Sequence, residues 1–226
     1  MNDKLENKEI VPIYKPKGWP SFKIITELRK ITGIKKIGFL GTLDPAAEGV
    51  LVVGIGKGTK KLKDLDKNKE YLAQIAFGIE SNTWDLETKN IKFTKVQKIT
   101  KEKLKKALGN FKGKINQVIP MFSAKQIRGQ RLYKLARAGK ILKKLPQKEV
   151  EIYKIELLGF SEKEVLNHIL PVAEIKVSCS MGTFIRSLAY ELGEKLDTKA
   201  TLISLVRTRD GGFGIKDTIK ISNRKQ

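Results

Sequence analysis

One aspartate in the first quarter of the chain is a residue that could do chemistry. Asp44 lies in the stretch "GFLGTLDPAAEGVLVVGIGKGTKK" (residues 38–61), between a glycine-containing turn and a continuous apolar run. Two structural interpretations fit the local pattern, a turn residue or a helix N-cap, because Asp before Pro avoids the α region and Pro45 suits the first position of a helix. The third interpretation is a catalytic carboxylate. The local sequence leaves all three open.

Other catalytic patterns in this stretch fit poorly. Glu48 places a second carboxylate four residues after Asp44, but that offset gives no reason for the two to flank a sugar bond as a glycosidase pair does. Leu51 and Gly58 break the phosphate-loop pattern, and Thr59 breaks the dinucleotide fingerprint. A single His and a single Cys exclude a Cys/His zinc cluster and a disulfide framework. We therefore predict no metal, and acid/base chemistry falls to carboxylates, Tyr or Lys.

The charge of the chain indicates a polyanionic partner. Lys and Arg number 46 against 24 Asp and Glu, a formal net charge of +22 over 226 residues. Such an excess suits nucleic acid, although genome bias and adaptation to heat also enrich lysine. The first residues are charged, and no apolar stretch approaches the roughly 18 residues that a membrane span needs. We expect a cytoplasmic protein that does not bind a membrane.

The elements that must position Asp44 can be predicted from hydrophobic periodicity. Strands are predicted at residues 10–14, 50–55, 71–79, 150–158 and 172–179. Helices are predicted to start at the N-caps Ser21, Thr100 and Thr183 and to end at Gly33, Gly109 and Gly193. Strands and helices mix without regular βαβ alternation. We therefore predict an α+β fold with a mixed, largely antiparallel sheet flanked by helices.

Residues 121–150 differ in character from the rest of the chain. They hold nine Lys or Arg against a single acid, Glu149, with Phe122 and Tyr133 interleaved. Basic side chains with occasional aromatics suit a surface that follows an RNA backbone and stacks on bases. A solvated helical hairpin is the structural alternative. The excess of charge favours contact with RNA.

Five blocks of the sequence, in order, point to a known family. They are "KKIGFLGTLDPAAEGVLVVGIGKGTK", "KEYLAQIAFGIESNTWD", "FKGKINQVIPMFSAKQIRGQRLYKLARAGK", "VSCSMGTFIRSLAYELGEKL" and "ATLISLVRTRDGGF". Over residues 10–215 the chain resembles the TruB family, tRNA pseudouridine synthases that act on the T-arm uridine conventionally numbered 55. The resemblance implies the pseudouridine synthase fold and isomerisation of that uridine after base flipping. It implies no cofactor, because the N1–C1′ bond is exchanged for a C5–C1′ bond without net redox change.

The resemblance also implies roles for four residues. Asp44 is the nucleophile, attacking either C1′ of the ribose or C6 of the uracil. Arg186, in "GTFIRS", pairs with the catalytic aspartate and keeps it ionised. Tyr71, in "KEY", stacks on the target uracil and takes part in removing the C5 proton, and Leu205 lines the pocket. By local pattern alone these three would be a surface arginine and two core residues.

A basic insertion at residues 119–150 resembles the RNA-binding "thumb" of the family, and we call it the thumb-like insertion. It is expected to read the shape of the T-loop. Residues implied in RNA contact are Phe39, Lys125, Arg128, Arg131, Tyr133 and Arg137. Phe39 replaces the usual histidine, so we expect it to hold the opened loop by stacking alone. The chain also departs from the family pattern at Gln126, Met181 and Phe184.

For the whole chain we expect a single catalytic domain over residues 1–226, acting as a monomer on tRNA. The sequence stops soon after "GGF", so we expect no C-terminal PUA domain and a recognition carried mostly by the T-arm. A pseudouridine synthase for another RNA, such as the guide-dependent dyskerin-type enzymes, is one alternative, and the expected lack of a PUA domain argues against it. The other is a non-catalytic RNA-binding or RNA-folding protein with the same fold. The joint presence of Asp44, Tyr71 and Arg186 argues against that one.

Overall fold

A computed structural model describes residues 8–127, 129–142 and 144–221. The chain divides into two compact units, Met1–Leu72 with Leu205–Gln226, and Ala73–Ser204. Two strands, β4 (Lys69–Phe77) and β12 (Ala200–Asp210), contribute residues to both units. The single catalytic domain predicted from the sequence stays a prediction.

The first unit is built on strands in the order β14, β1, β3, β12. Its other elements are β1 (Ile10–Lys15), α1 (Ser21–Thr32), β2 (Ile37–Phe39), β3 (Glu48–Ile55), α2 (Gly58–Lys61), β13 (Phe213–Gly214) and β14 (Ile219–Lys220). Strand β3 is antiparallel to β1 and β2 and parallel to β12, so the strand pairing here is mixed. Short 3₁₀ turns follow α2 and β13.

Apolar residues of β1, α1 and β3 form the core of the first unit. Strand β3 is buried along nearly its whole length, which confirms the predicted central strand. Helix α1 packs Ile24, Ile25 and Leu28 against that core and ends at Gly33, which has a positive φ of 68° as predicted. The prediction of Ser21 as N-cap is wrong, because its hydroxyl is bonded instead to the backbone of Leu43.

In the second unit, strands β4, β11, β10 and β7 are neighbours in that order. Its elements besides β4 and β12 are β5 (Ile79–Ser81), β6 (Ile91–Phe93), α3 (Lys101–Gly109), β7 (Gly113–Val118), β8 (Gln126–Ile127), β9 (Gln130–Arg131), α4 (Leu132–Arg137), β10 (Gln147–Val165), β11 (His168–Cys179) and α5 (Ile185–Lys195). Strand β10 is antiparallel to both β11 and β7. The β10–β11 hairpin extends well past the predicted strands because a tight two-residue turn at Leu166 and Asn167, both with positive φ, lets pairing run to its tip.

The helix ends of the second unit test the predicted caps. The Thr100 side chain accepts a hydrogen bond from the Lys103 amide at 3.2 Å, which confirms it as the N-cap of α3. Thr183 does not cap α5, because its hydroxyl donates to the Ser180 carbonyl at 2.9 Å and the helix starts later. Gly193 lies inside α5 rather than at its end, where a Cβ atom would meet the Ala200 Cβ at 2.8 Å. Gly109 is likewise the last helical residue of α3 and not its cap.

Candidate active site

Asp44 lies in the loop of residues 40–47 between β2 and β3, which we call the Asp44 loop. The Ala47 amide donates to the Asp44 carbonyl at 3.1 Å, which closes a β-turn with Pro45 at its second position. The turn leads into strand β3 at Glu48 rather than into a helix. The N-cap interpretation of Asp44 is therefore wrong and the turn interpretation is right, while its catalytic role stays a prediction.

A buried lysine anchors the backbone next to Asp44. The Lys15 ammonium donates to the carbonyls of Trp19 at 2.7 Å, Pro16 at 3.0 Å and Pro45 at 3.4 Å. The Gly18 amide donates to the same Pro45 carbonyl at 2.7 Å. A fully buried ammonium is tolerated because it is surrounded by oxygen acceptors. The Pro45–Ala46 peptide, one residue after Asp44, is thus held by two donors.

The bond between Ser21 and Leu43 fixes the residue that precedes Asp44. The Ser21 hydroxyl donates to the Leu43 carbonyl at 2.7 Å and accepts from the Leu43 amide at 2.9 Å. Both bonds are buried, so water does not compete for them. This contact occupies the Ser21 hydroxyl, so Ser21 does not cap α1.

A second buried group of charges holds the start of the Asp44 loop. The Arg207 guanidinium, fully buried, donates from Nε to the Val50 carbonyl at 2.7 Å and from both terminal nitrogens to the Gly41 carbonyl at 3.3 and 3.4 Å. One Asp210 oxygen lies 3.2 Å from Arg207 Nη2, and the other pairs with the Lys69 ammonium. Sequence reasoning missed this network, although its members lie in two of the family-like blocks.

The predicted pocket residues Tyr71 and Leu205 belong to the same unit as Asp44. Both are buried, with exposed fractions of 7% and 9%, on strands β4 and β12. Phe39, the last residue of β2, is half-buried and packs against the core of the first unit. Their roles toward RNA stay predictions.

Glu48 has a structural partner in the same unit. The Tyr14 hydroxyl donates to the Glu48 carboxylate at 2.9 Å. Burial, together with that hydrogen bond and the charge of Glu48, raises the pKa of Tyr14 to about 12. Glu48 therefore acts in this structure as an acceptor that ties β1 to β3, which gives no support to a glycosidase pair.

Arg186, the second residue of α5, is buried in the second unit. Its terminal nitrogens donate to the carbonyls of Thr83 at 2.9 Å and Phe122 at 3.0 Å. Its Nε lies 3.5 Å from the Asp85 carboxylate, with both side chains almost fully buried. The structure therefore excludes the surface-arginine interpretation. The predicted pairing of Arg186 with Asp44 stays a prediction.

Asp85, the acidic partner of Arg186, is another residue that sequence reasoning missed. One of its oxygens accepts hydrogen bonds from the Thr83 hydroxyl at 2.6 Å and from the Glu87 amide at 2.9 Å, and the other faces Arg186. The preceding residue, Trp84, adopts a positive φ of 61° and stacks on Tyr190 with ring centroids 4.4 Å apart. The tight turn around Trp84 explains how residues so close in sequence converge on one guanidinium. The signal in the sequence was the "SNTWD" end of the second family-like block.

The thumb-like insertion packs around a small apolar cluster, to which Phe184 before α5 also contributes. Ile119, Met121 and Leu132 are buried there, and further apolar residues pack around them. It is folded as the β8–β9 hairpin followed by the short helix α4, so the alternative of a helical hairpin is wrong. Residues of this insertion also line a cleft of about 600 Å³.

Four of the predicted RNA contacts lie at the surface of this insertion. Lys125, Arg131 and Arg137 are exposed, and Tyr133 is half-buried between two arginines. Arg131 donates to the Tyr133 hydroxyl at 3.5 Å, which lowers the pKa of that phenol, and Arg137 lies over its ring at 5.5 Å. Arg128 lies outside the described residues.

Two searches of the described residues gave no further site. Across residues 8–127, 129–142 and 144–221, no three His, Cys, Asp or Glu side chains are grouped closely enough to hold a metal ion. In that same part of the chain, no helix has the length and apolar character to cross a membrane.

Comparison with known proteins identifies the family. Residues 29–185 match the model of the family described as TruB family pseudouridylate synthase (N terminal domain). The tRNA pseudouridine synthase B of Clostridium tetani is 40% identical over 216 residues, which cover 95% of this chain and 71% of that protein. The chain belongs to the TruB family. The tRNA pseudouridine synthase B of Protochlamydia amoebophila, another TruB relative, is 41% identical over 212 residues, covering 93% of this chain and 77% of that protein.

Solved structures agree with this placement at the level of the fold. A chain from the crystal structure of a Cbf5-Nop10-Gar1 complex superposes with a TM-score of 0.70 at 24% identity and covers 94% of the TruB-family chain. The chain spans about half, 52%, of the length of that neighbour. The predicted α+β pseudouridine synthase fold is thereby confirmed.

Proposed function

We propose that this TruB-family enzyme isomerises uridine to pseudouridine in the T-arm of tRNA, at position 55, with Asp44 as the nucleophile. The observation that carries the assignment is the Asp44 loop, whose backbone is tied down by buried hydrogen bonds at Gly41, Leu43 and Pro45. A turn held at so many points presents its carboxylate with little reorganisation. The relatives named tRNA pseudouridine synthase B support tRNA as the substrate.

The chemistry requires a base that leaves, turns and returns. The uridine is flipped out of the RNA, and the Asp44 carboxylate attacks either C1′ of the ribose or C6 of the uracil. The N1–C1′ bond breaks and a C5–C1′ bond forms. The bond to Asp44 then breaks and frees its carboxylate, the proton on C5 leaves and N1 gains a proton. Atoms and electrons balance without an oxidant or reductant, so the proposed reaction needs no cofactor.

Under this proposal the remaining site residues serve the nucleophile and the base. Arg186 provides the positive charge that keeps the Asp44 carboxylate ionised. The Thr83 and Phe122 carbonyls and the Asp85 carboxylate hold the Arg186 guanidinium in one orientation. Tyr71 stacks on the uracil and assists removal of the C5 proton, and Leu205 lines the pocket. The thumb-like insertion, with Lys125, Arg128, Arg131, Tyr133 and Arg137, grips the RNA backbone.

The test is release of tritium from RNA labelled at C5 of uridine. The wild type should release tritium from unmodified tRNA, and Asp44→Asn should lower the rate by at least roughly a thousandfold while RNA affinity persists. Asp64→Asn is the matched control, because it makes the same change in charge at an exposed position of the same unit. Its rate should equal that of the wild type.

Two results would contradict the proposal. Release by Asp44→Asn at the wild-type rate would remove Asp44 from the mechanism. Tight binding of tRNA by the wild type without any release would favour the non-catalytic RNA-binding alternative.

A further inference from the structure

A dense run of lysines lies outside every site described above. Residues 89–112 hold nine lysines and a single acid, Glu102, whereas residues 121–150 hold nine basic residues in a longer segment. The nine are Lys89, Lys92, Lys95, Lys98, Lys101, Lys103, Lys105, Lys106 and Lys112. All nine are exposed, and we call them the lysine surface.

The lysine surface carries a large excess of positive charge, which Glu102, beside Lys101 and Lys105, offsets only in part. Within the described part of the chain, none of the nine ammonium groups forms an ion pair with a carboxylate. Exposed lysines elsewhere do so, as in the pairs of Lys30 with Glu27 and Lys154 with Glu156. Nine like charges within 24 residues repel each other, so a polyanionic partner that neutralises them gains electrostatic energy on binding.

Part of the lysine surface lines a cleft between α3 and the end of α5. The cleft has a volume of about 370 Å³, enough for a phosphate and its ester carbons. Its polar lining includes Lys98, Lys103, Lys106, Lys195 and Asn110, with Asp197 as the one acid. Ammonium and amide groups are donors that suit phosphate oxygens.

Strand β7 runs from near this cleft toward Arg186, the proposed catalytic residue of the second unit. Asn110 of the cleft precedes the start of β7, while Gln117, near its other end, accepts a hydrogen bond from the Phe184 amide beside Arg186 at 2.7 Å. The thumb-like insertion leaves and returns at that same far end, where Val118 pairs with Gln147. The two ends of β7 are roughly 17 Å apart at the usual rise per residue.

We propose that the lysine surface is a second RNA-binding site, which contacts backbone phosphates of the stem on the side away from the flipped uridine. The inference rests on the proposed function for the identity of the RNA. A distance of roughly 17 Å corresponds to about six base pairs of A-form RNA duplex, so only a stem longer than that reaches the lysine surface. The contact is to phosphates and is therefore independent of sequence.

The experiment measures affinity for T-arm hairpins whose stems have about three or about ten base pairs. We expect the wild type to bind the long stem more tightly, and Lys98→Gln/Lys103→Gln/Lys106→Gln to lose that gain, at least about tenfold at low salt. For the triple variant, the slope of log affinity against log salt should be smaller in magnitude than for the wild type by about two to three, one for each lost phosphate contact. Affinity for the short stem should stay as in the wild type.

The matched control is Lys30→Gln/Lys61→Gln/Lys154→Gln. It removes the same three charges, but from lysines that are already paired with carboxylates. Equal weakening by the two triple variants would overturn the proposal, because net charge alone would then account for the effect. Equal loss of affinity for short and long stems would overturn it too, since the lysines would then lie beside the loop.

Tritium release separates this inference from the proposed function. Release by both the wild type and the lysine variant from the short-stem hairpin, with no difference in long-stem affinity, would leave the function standing and reject the lysine surface. If no RNA gives release but the wild type still binds the long stem more tightly than the lysine variant does, the proposed function is rejected and the lysine surface is kept as an RNA-binding site. Equal unfolding midpoints of the two triple variants would show that neither has lost its fold.

Discussion

At the level of single residues, the buried charges Lys69, Arg207 and Asp210 must compensate one another for the fold to be stable. One carboxylate serves two cations, and all three side chains are at most 3% exposed. Burying charge is costly unless every group is paired, so the loss of one member leaves the others without compensation. The same network holds the Gly41 carbonyl, which links it to the Asp44 loop.

Asp210→Asn is therefore expected to lower the free energy of unfolding by about 3–5 kcal/mol, because two buried cations lose their counter-charge. Urea unfolding would measure it. Asp64→Asn, which removes an exposed carboxylate of the same unit, should change stability by less than about 0.5 kcal/mol. Lys69→Met/Asp210→Asn should be more stable than Asp210→Asn alone, since one of the two uncompensated cations is gone. A double variant no more stable than Asp210→Asn would contradict the expected cost of leaving the Lys69 ammonium without its counter-charge.

Residue roles could be predicted from the sequence only where the chain resembles a family motif. Asp44, Tyr71 and Arg186 were singled out in this way. The partners of Arg186 and the Lys69–Asp210 pair escaped prediction because they depend on contacts between distant parts of the chain, separated by 103 residues for Arg186 and Thr83 and by 141 for Lys69 and Asp210. No local pattern reports such a contact.

At the level of elements, periodicity predicted strands better than it predicted helix ends. The continuous apolar run of β3 and the alternating apolar residues of β4 were sufficient to predict these two strands, because each pattern reflects the burial of side chains directly. Ser21 and Thr183 failed as caps because their hydroxyls bond to the Asp44 loop and to Ser180. Whether a hydroxyl caps a helix depends on which other hydrogen-bond partners the fold brings near it, and a local sequence pattern does not report those partners.

The link between α5 and β7 gives a prediction about pH. The Glu191 carboxylate of α5 accepts a hydrogen bond from the Val118 amide of β7 at 2.8 Å. Burial raises the pKa of Glu191, although the Val118 bond and the charge of Lys195 oppose the shift. A raised pKa in the folded state gives stability that is complete below the unfolded value of 4.5 and is lost as the pH rises through the folded value.

Glu191→Gln keeps an acceptor for the Val118 amide and cannot ionise. Its free energy of unfolding should therefore rise relative to the wild type between about pH 4 and pH 7. Urea unfolding at both pH values would measure the change. Glu164→Gln, at an exposed position of β10, should show no such trend. A constant difference between Glu191→Gln and the wild type across this range would contradict the assigned burial of the carboxyl group.

At the level of the whole molecule, the fold family was predicted from five ordered blocks and confirmed by relatives and solved structures. The division into two units was not predicted. No composition shift or linker marks it, because the boundaries fall within β4 and immediately before Leu205 in β12, where the pattern of a strand simply continues. The ordered blocks therefore predicted the family, and periodicity predicted the elements, but neither predicted how those elements are grouped.

The net charge of +22 gives a prediction about salt. Raising the salt from about 50 to about 200 mM should lower kcat/KM for tRNA at least about tenfold, because each phosphate contact releases counterions. The value of kcat at saturating tRNA should change by less than about twofold, since charges buried around the reacting groups are screened much less. Steady-state tritium release at both salt concentrations would measure the two constants, with chloride and glutamate salts compared at equal ionic strength to separate screening from anion binding. A parallel fall in kcat would mean that salt disturbs the bound complex and not only its formation, and the excess of lysine would then reflect composition rather than attraction of the substrate.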